Sequence, residues 1–340
     1  MRILGVESSC DDCSAAVVEE TAAGPVLRSL VRRSQDALHG PFGGVVPELA
    51  AREHLLQVRA TIQEALDKAG LKPDDLDRIA VTRGPGLVGS LLCGFSAGKA
   101  LAWRAGKPWV GVHHLLGHLN AARFGSPDLP FPALALLVSG GHTHLYLARD
   151  WTSLALLRKT RDDAAGEAFD KAARVLGLGY PGGPPVDTCA RRAPKAAEPF
   201  TAPRFRDGQP AWSFSGLKTA LKLRVERNPR LAGAGAEDPE VQALCRSLQE
   251  AVADWLLKPL PALAAEHGAK SLILSGGVAC NSELRERAAA LASREGLALA
   301  IPEPRFCTDN GAMIAAAGAM LPVTEGFALN ADSDLRLAVG

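Results

Sequence analysis

His114 and His118 stand four residues apart in Gly111-Val112-His113-His114-Leu115-Leu116-Gly117-His118. A helix that begins near His114 carries both on one face, about one turn apart, and two imidazoles at that spacing can share a metal ion. By itself such a pair is more often structural or solvated, so the rest of the chain must decide. A metal needs a third donor. Cys307-Thr308-Asp309-Asn310-Gly311 supplies an acid just before a small-residue helix expected to start near Gly311. Asp309 is the best candidate, although an acid there is also an ordinary turn or cap residue. Three protein ligands leave coordination positions open, as a catalytic metal requires. His113 adjoins His114 and points elsewhere on a helix, which assigns it to packing or to hydrogen bonding behind the ligands.

Other chemistries lack their parts. A zinc protease of the His-Glu-x-x-His type needs Glu directly after the first histidine, where this chain has Leu115. Gly94-Phe95-Ser96-Ala97-Gly98-Lys99-Ala100 has a superficial likeness to a P-loop, but its glycine spacing is wrong and Ala100 lacks the hydroxyl that binds magnesium. Cys10 and Cys13 form a lone C-x-x-C with acids between them and no second pair at zinc-ribbon spacing, so neither redox nor metal work is assigned to them.

The elements that must carry these residues alternate between strand and helix. Arg2 to Val6, the polar Ser8-Ser9-Cys10-Asp11-Asp12, and Ala15 to Val18 read as strand, turn, strand, with two acids presented together. Residues 48–70 keep apolar positions at helical spacing and end at Gly70, after which Arg78 to Thr82 reads as a strand running into Gly84-Pro85-Gly86. Such alternation predicts an α/β layered fold. Two later segments look alike: Leu134 to Val138 runs into Ser139-Gly140-Gly141, and Ser271 to Leu274 into Ser275-Gly276-Gly277. A buried strand ending at glycines lets backbone N–H groups approach an anion, or is merely a tight turn. The pair, together with the N-terminal acids, suggests two related lobes around a nucleotide-like ligand.

Composition bounds the rest. In 340 residues, 47% of them hydrophobic, there is material for two well-packed cores. The formal charge is only +1, so any surface for a polyanion must be local. Residues 191–230 provide one: Arg191, Arg192, Lys195, Arg204, Arg206, Lys218, Lys222, Arg224, Arg227 and Arg230 face only Glu198, Asp207 and Glu226. With Trp212 and Phe214 interleaved, this stretch is either a solvated face or a phosphate-backbone contact. Seven scattered cysteines point to a reducing compartment, the cytoplasm. The N-terminus reaches Glu7 before a signal-peptide core could form, and no apolar run approaches the ~20 residues of a spanning helix, so no membrane is expected.

Taken together, the motifs resemble one family across nearly the whole chain, the bacterial TsaD (Gcp) proteins, tRNA N6-adenosine threonylcarbamoyltransferases once described as O-sialoglycoprotein endopeptidases. The resemblance is carried by Gly5-Val6-Glu7-Ser8-Ser9-Cys10-Asp11, Gly84-Pro85-Gly86-Leu87, the histidine segment, Val138-Ser139-Gly140-Gly141-His142-Thr143 and Gly166-Glu167-Ala168-Phe169-Asp170-Lys171. It continues through Tyr180-Pro181-Gly182-Gly183, Ser213-Phe214-Ser215-Gly216-Leu217-Lys218, Ser275-Gly276-Gly277-Val278 and the Asp309 segment. The resemblance implies a two-lobed actin-like ATPase (ASKHA) fold, with duplicated mixed sheets flanked by helices. The lobes are expected at 1–108 plus 308–335 and at 109–307, the latter with a basic helical insertion near 191–230.

The family's activity would then be transfer of a threonylcarbamoyl group from threonylcarbamoyl-AMP to N6 of the adenosine beside the anticodon (position 37) in tRNAs reading ANN codons, releasing AMP. Small-molecule phosphotransfer and metal-dependent proteolysis are the alternatives. The resemblance implies one divalent metal, Fe2+ ahead of Zn2+, at His114, His118 and Asp309. It implies adenylate binding by Leu137, Val138, Ser139, Gly140, Gly141, Asp170, Gly183, Asp187 and Asn281, and protein partners TsaB and TsaE. Where the family commonly has Asp-Glu-Thr this chain has Asp11-Asp12-Cys13. The shorter Asp12 reaches less far, which leaves Asp11 as the candidate catalytic acid. Lys218, Lys222 and Arg224 are the candidate tRNA contacts.

Overall fold

Strand β1 (Arg2–Glu7) is buried on both faces, and its alternation divides them: Ile3 joins one hydrophobic cluster, Leu4 and Val6 another. In this computed structural model, which describes residues 1–203, 205 and 209–337, β1 is the middle of a five-stranded sheet. It pairs antiparallel with β2 (Asp12–Thr21), which pairs antiparallel with β3 (Gly24–Ser34). On its other side it runs parallel to β4 (Arg78–Gly84), and β4 runs parallel to β5 (Trp109–His113). Helices Pro47–Ala69 and Val88–Ala105 cover the Leu4 face through Val58, Ile62, Phe95 and Ala102. Helix Gly311–Met320 covers the Ile3 face through Met313, Ile314 and Ala315, with Ala121 of helix His114–Ala121 beside them.

Small residues let helix Gly311–Met320 lie directly on the strands. A Cβ added at Gly5 would stand 2.0 Å from the Gly311 carbonyl oxygen, and one at Gly311 would stand 2.6 Å from the Gly5 oxygen. The backbones therefore touch, and the loop before the helix, which carries Asp309, is held against the sheet. After Met320 the described residues strap the edge beyond β5 without helix or strand: Thr324 N–H donates to the Trp109 carbonyl at 2.8 Å, the Trp109 indole donates to Gly326 at 2.8 Å, and Lys99 donates to Leu329 at 2.9 Å.

The second sheet has the order β11-β10-β6-β7-β8-β9, from β6 (Ala133–Val138), β7 (Thr143–Ala148), β8 (Leu154–Thr160), β9 (Ala211–Trp212), β10 (Ser271–Ser275) and β11 (Ala298–Ala300). Here β6 pairs antiparallel with β7 and parallel with β10, and β10 runs parallel to β11. The plan of β3-β2-β1-β4-β5 thus recurs as β8-β7-β6-β10-β11, the duplicated mixed sheet expected of an actin-like ATPase fold. Both glycine turns, after β6 and after β10, belong to this second sheet, on neighbouring strands. Their likeness is therefore not that of one lobe to the other, which the strand order carries instead. Gly276 is required by packing, with φ 96° and a Cβ position 2.3 Å from the Val138 carbonyl oxygen.

Two compact units result: Met1–Leu129 with Arg149–Leu154 and the chain from Pro302 onward, and Pro130–Ala148 with Ala155–Ile301. The division expected at 108 and 308 put β5 and the histidine helix in the second lobe. Ladder pairing of β5 with β4 keeps them in the first. In the expected basic insertion the described helix is Ser215–Arg227. No helix of the described residues is long and apolar enough to cross a membrane.

Candidate metal centre

Helix His114–Ala121 starts where β5 ends, and His113 fixes the start. Its Nδ1 accepts the Leu115 N–H at 3.1 Å, and its Nε2 lies 3.1 Å from the Leu335 carbonyl in the C-terminal strap. Nδ1 being an acceptor, the ring's proton sits on Nε2 and is donated to Leu335. One turn on, the His114 and His118 rings stand edge to face with centroids 4.7 Å apart, both almost wholly buried. Asp309 comes from the other direction. Its neighbour Asn310 caps helix Gly311–Met320 by accepting the Met313 N–H at 2.9 Å, and the Gly311 N–H donates to the Ser14 hydroxyl at 3.0 Å. Asp309 Oδ1 lies 3.6 Å from His114 Nε2 and 3.2 Å from His118 Nε2.

Those three groups offer donor atoms all within 4.8 Å of one another. Ligands about 2.0–2.2 Å from a common tetrahedral metal are separated by about 3.3–3.6 Å, so the spacing suits a shared ion. The His118 nitrogens supply a second observation: both are buried and neither makes a hydrogen bond among the described residues, although Nε2 lies 3.2 Å from the Asp309 carboxylate. An imidazole left so is costly unless something else is bound there. The residues present therefore fit a metal.

The charges around the three donors are unbalanced. Burial works against a positive charge on His114, yet Asp309 and Glu7 outweigh it and lift its pKa to about 9. Glu7 is pushed up by burial, but the His114 charge and hydrogen bond leave it lowered overall. The acid pair lies in the same unit. Burial raises Asp11, and it lifts Asp12 to about 8 despite Arg32, with Asp309 and Asp11 adding to the rise. Arg32 Nε stands 3.6 Å from Asp12 Oδ1, and its Nη1 donates to the Thr308 hydroxyl, next to Asp309. Asp12 is thus the more perturbed of the pair, although side-chain length favours Asp11. The Cys10 and Cys13 thiols are pushed up by burial, Cys13 to about 11, which keeps them un-ionised and unreactive.

In the second unit, the other predicted residues form one linked scaffold. Leu137 and Val138 are buried in β6, and the turn after them closes through Ser139 N–H to the His142 carbonyl at 2.7 Å. Gly140 and Gly141 are exposed, and a Cβ on either would meet nothing within 4 Å. Helix Ala165–Leu176 presses on this turn, its Gly166 N–H donating to the Ser139 carbonyl at 3.3 Å. Asp170 on that helix accepts the Gly182 N–H at 2.7 Å, just before helix Gly183–Arg192. Asp187 on the latter accepts the Ser282 hydroxyl at 2.6 Å and its N–H at 3.2 Å, and lies 3.4 Å from the Asn281 amide nitrogen. Asn281 also donates to Gln249 at 3.0 Å while capping the next helix. Asp187 and Asn281 are therefore brought together, with Ser282 and Gln249 as unforeseen companions.

The basic segment is less free than its charge suggests. Arg224 lies over the Phe200 ring at 4.1 Å and donates to the Glu198 and Pro199 carbonyls, so it holds the chain before it. Lys222 approaches Glu226 at 3.7 Å, Arg192 pairs with Glu237 at 2.6 Å, and Arg230 pairs with Asp238 and Glu240. Lys218 is exposed. Arg204, Arg206 and Asp207 lie outside the described residues. Beyond the predicted set, Glu7 and Ser9 meet the inner nitrogen of His114, and Thr82 stands behind them, donating to Glu7. Glu7 and Ser9 sit inside the N-terminal motif, whereas nothing near Thr82 in sequence signals its part.

A family model described as TsaD, tRNA N6-adenosine threonylcarbamoyltransferase, matches residues 26–316. Curated proteins of that name are similar over almost their full lengths. The one from Kosmotoga olearia is 47% identical over 93% of this chain and 92% of its own, and that of Anaeromyxobacter dehalogenans strain 2CP-C is 47% identical over 99% of both. That of Moorella thermoacetica is 45% identical over 99% and 97%. Among solved structures, component A of (R)-2-hydroxyglutaryl-CoA dehydratase from Acidaminococcus fermentans is similar, with a TM-score of 0.57 and 13% identity over 94% of this chain and 98% of that one. Full-length HypF in a phosphate- and nucleotide-bound form gives a TM-score of 0.60 with 11% identity over 94% and 54%. At such identities these likenesses bear on the fold alone.

Proposed function

The chain belongs to the TsaD family, the tRNA N6-adenosine threonylcarbamoyltransferases, and from that premise we propose how its own residues divide the transfer. The donor is threonylcarbamoyl-AMP and the acceptor is N6 of the adenosine at position 37 in tRNAs reading ANN codons. The N6 lone pair attacks the carbamoyl carbon, the bond from that carbon to the phosphate oxygen breaks, and AMP leaves with the electron pair. The amine's proton passes to a carboxylate, for which Asp11 and Asp12 are the candidates.

The adenylate rests on Leu137, Val138, Ser139, Gly140, Gly141, Asp170, Gly183, Asp187 and Asn281. Exposed glycine-turn N–H groups suit a phosphate, and a carboxylate beside an amide suits ribose hydroxyls. His114, His118 and Asp309 would hold one divalent metal, Fe2+ or Zn2+, which when bound supplies Lewis acidity toward the carbonyl oxygen under attack. The buried His118 Nε2, which faces the Asp309 carboxylate at 3.2 Å without making a hydrogen bond, is the observation that supports a metal here most directly. Lys218 and Lys222 are the exposed cations proposed to meet tRNA, with Arg224 shaping the surface beside them. TsaB and TsaE are the proposed protein partners, and the cytoplasm the proposed compartment.

The test is direct. Purified metal-loaded protein is mixed with its TsaB and TsaE counterparts, synthetic threonylcarbamoyl-adenylate and an ANN-reading tRNA transcript, and the digested tRNA is read by mass spectrometry. Threonylcarbamoyladenosine at position 37 is expected. Its absence while the metal is demonstrably bound would overturn the proposal.

A further inference from the structure

We propose that Glu7 is a positioning residue of the metal centre: with Thr82 and the Ser9 amide holding it, it keeps His114 as the Nδ1–H tautomer, so that Nε2 alone is offered to the metal. The inference rests on reading His114, His118 and Asp309 as metal ligands.

Glu7 closes β1 and is wholly buried, so its carboxylate must find its partners within the protein. The Ser9 N–H donates to Oε1. The Thr82 hydroxyl lies 2.6 Å from Oε2 and 3.3 Å from the Val6 carbonyl. It has one proton to give, and the shorter path to a charged acceptor takes it. Thr82 is there because β4 runs parallel to β1 with Val81 opposite Val6, which makes Thr82 and Glu7 the next residues on the two strands.

The remaining partner of Oε2 is His114 Nδ1 at 3.2 Å. An ionised carboxylate has no proton to donate, so the proton of this contact sits on Nδ1. Ser9 Oγ, also 3.2 Å from Nδ1, shares the same N–H as a second acceptor. Nε2 is then the only ring nitrogen left to give a lone pair to a metal, and Nε2 is the atom that faces Asp309. A carboxylate behind a ligating imidazole fixes the ring's rotation as well as its tautomer, and makes the ligand more basic. His118 has no such support, its Nδ1 finding no hydrogen-bond partner among the described residues. The two histidines are thus unequal: His114 is held from behind through Nδ1, and the His118 ring has no such hydrogen bond among the described residues.

Zn2+ alone is the probe, titrated into full-length metal-free protein against a chromogenic chelator at fixed pH. Glu7→Gln should weaken Zn2+ binding about 10–100-fold, Thr82→Val should weaken it less, and Thr82→Ser should bind as the wild type does. In 15N-histidine spectra of the Zn2+-loaded wild type, His114 should show a protonated Nδ1 and a ligated Nε2. Should Glu7→Gln fail to fold, the Thr82 pair and the wild-type spectrum still decide. A Nδ1-ligated His114, or Glu7→Gln and Thr82→Val variants that fold and bind Zn2+ as tightly as the wild type, would overturn Glu7's role alone. A wild type that takes up no Zn2+ would overturn the metal reading and this inference together.

Discussion

Asp12→Asn should stabilise the protein, and increasingly so as the pH rises. Burial lifts the Asp12 carboxyl to about 8, because Arg32 offsets only part of the desolvation while Asp309 and Asp11 add to it. In the unfolded chain the same group titrates near 4. Between those values the folded protein holds a proton that the unfolded chain has lost, so wild-type stability falls as pH rises and levels off above the folded pKa. Four pH units at 1.36 kcal/mol each set a ceiling of about 5–6 kcal/mol. The value of about 8 already includes Arg32, but the Asp12 side chain keeps 15% exposure, so water relieves much of this. A gain of about 2 kcal/mol above pH 8, vanishing below pH 4, is the expected size. Urea midpoints of both proteins, measured in half-unit steps from about pH 5 to 9, give the difference curve. A difference that does not change with pH, or a wild type that gains on the variant toward alkaline pH, would refute the reasoning. The same substitution should cost activity. A carboxyl raised to about 8 accepts the amine proton through its ionised fraction, which grows as the pH approaches 8, and losing it should lower kcat about 10²-fold or more at that pH. Greater stability with less turnover is the signature of an acid kept buried for function.

Asp309→Ala should abolish stoichiometric metal retention after dialysis, and retention at wild-type levels would exclude Asp309 as a ligand. Metal uptake should also depend on pH. His114 is raised to about 9 in the metal-free protein, so below that value the metal displaces a proton from Nε2, and affinity should climb about tenfold per pH unit before flattening near 9. By the same shift, the stability that His114 gives the metal-free protein is complete below about 6.5 and is lost as pH rises through about 9. Gly311→Ala should cost about 2–3 kcal/mol or more, because its Cβ would meet the Gly5 oxygen at 2.6 Å and the Ala16 nitrogen at 2.7 Å; an unchanged melting temperature would show that the helix can move away. Asp187→Ala releases the Ser282 hydroxyl and N–H together, and should raise KM for threonylcarbamoyl-adenylate about tenfold or more while leaving metal content unchanged.

The part of the centre legible in the sequence was the part that depends on local geometry. Helical spacing alone puts His114 and His118 on one face, and the strand-to-helix junction that carries them is a local pattern. Asp309 was legible as an acid before a helix, but its distance to the histidines comes from backbone contact between Gly5 and Gly311, residues 306 apart in the chain, which no periodicity announces. The lobe boundary failed for a related reason. A parallel strand such as β5 joins its sheet by ladder pairing with β4, and its sequence is equally apolar whichever sheet receives it. The acids illustrate a third limit: side-chain length argued for Asp11 over Asp12, whereas burial, which only the fold sets, makes Asp12 the more perturbed.

The support behind His114 shows why such roles escape a reading by motif. Glu7 and Ser9 stand in a recognisable segment, yet their use depends on Thr82, 75 residues from Glu7, and on His114, 107 residues from it. Parallel pairing of β1 with β4 delivers Thr82, and the end of β5 delivers His114, so three strand ends of one sheet meet at a single carboxylate. In parallel α/β sheets chemistry gathers at the carboxyl ends of the strands, where side chains distant in sequence converge. His113 extends the arrangement outward, since its ring ties the first turn of the histidine helix to Leu335 in the C-terminal strap. Loosening that strap should therefore weaken metal binding although no ligand lies in it. Truncation before Asp332 removes the Leu335 carbonyl and the Asp332 N–H that donates to Arg83 at 2.9 Å. A several-fold loss of Zn2+ affinity in that truncated protein, with the Asp309 and histidine ligands intact, is the expected result. Wild-type affinity there would mean that β5 alone sets the angle of the helix.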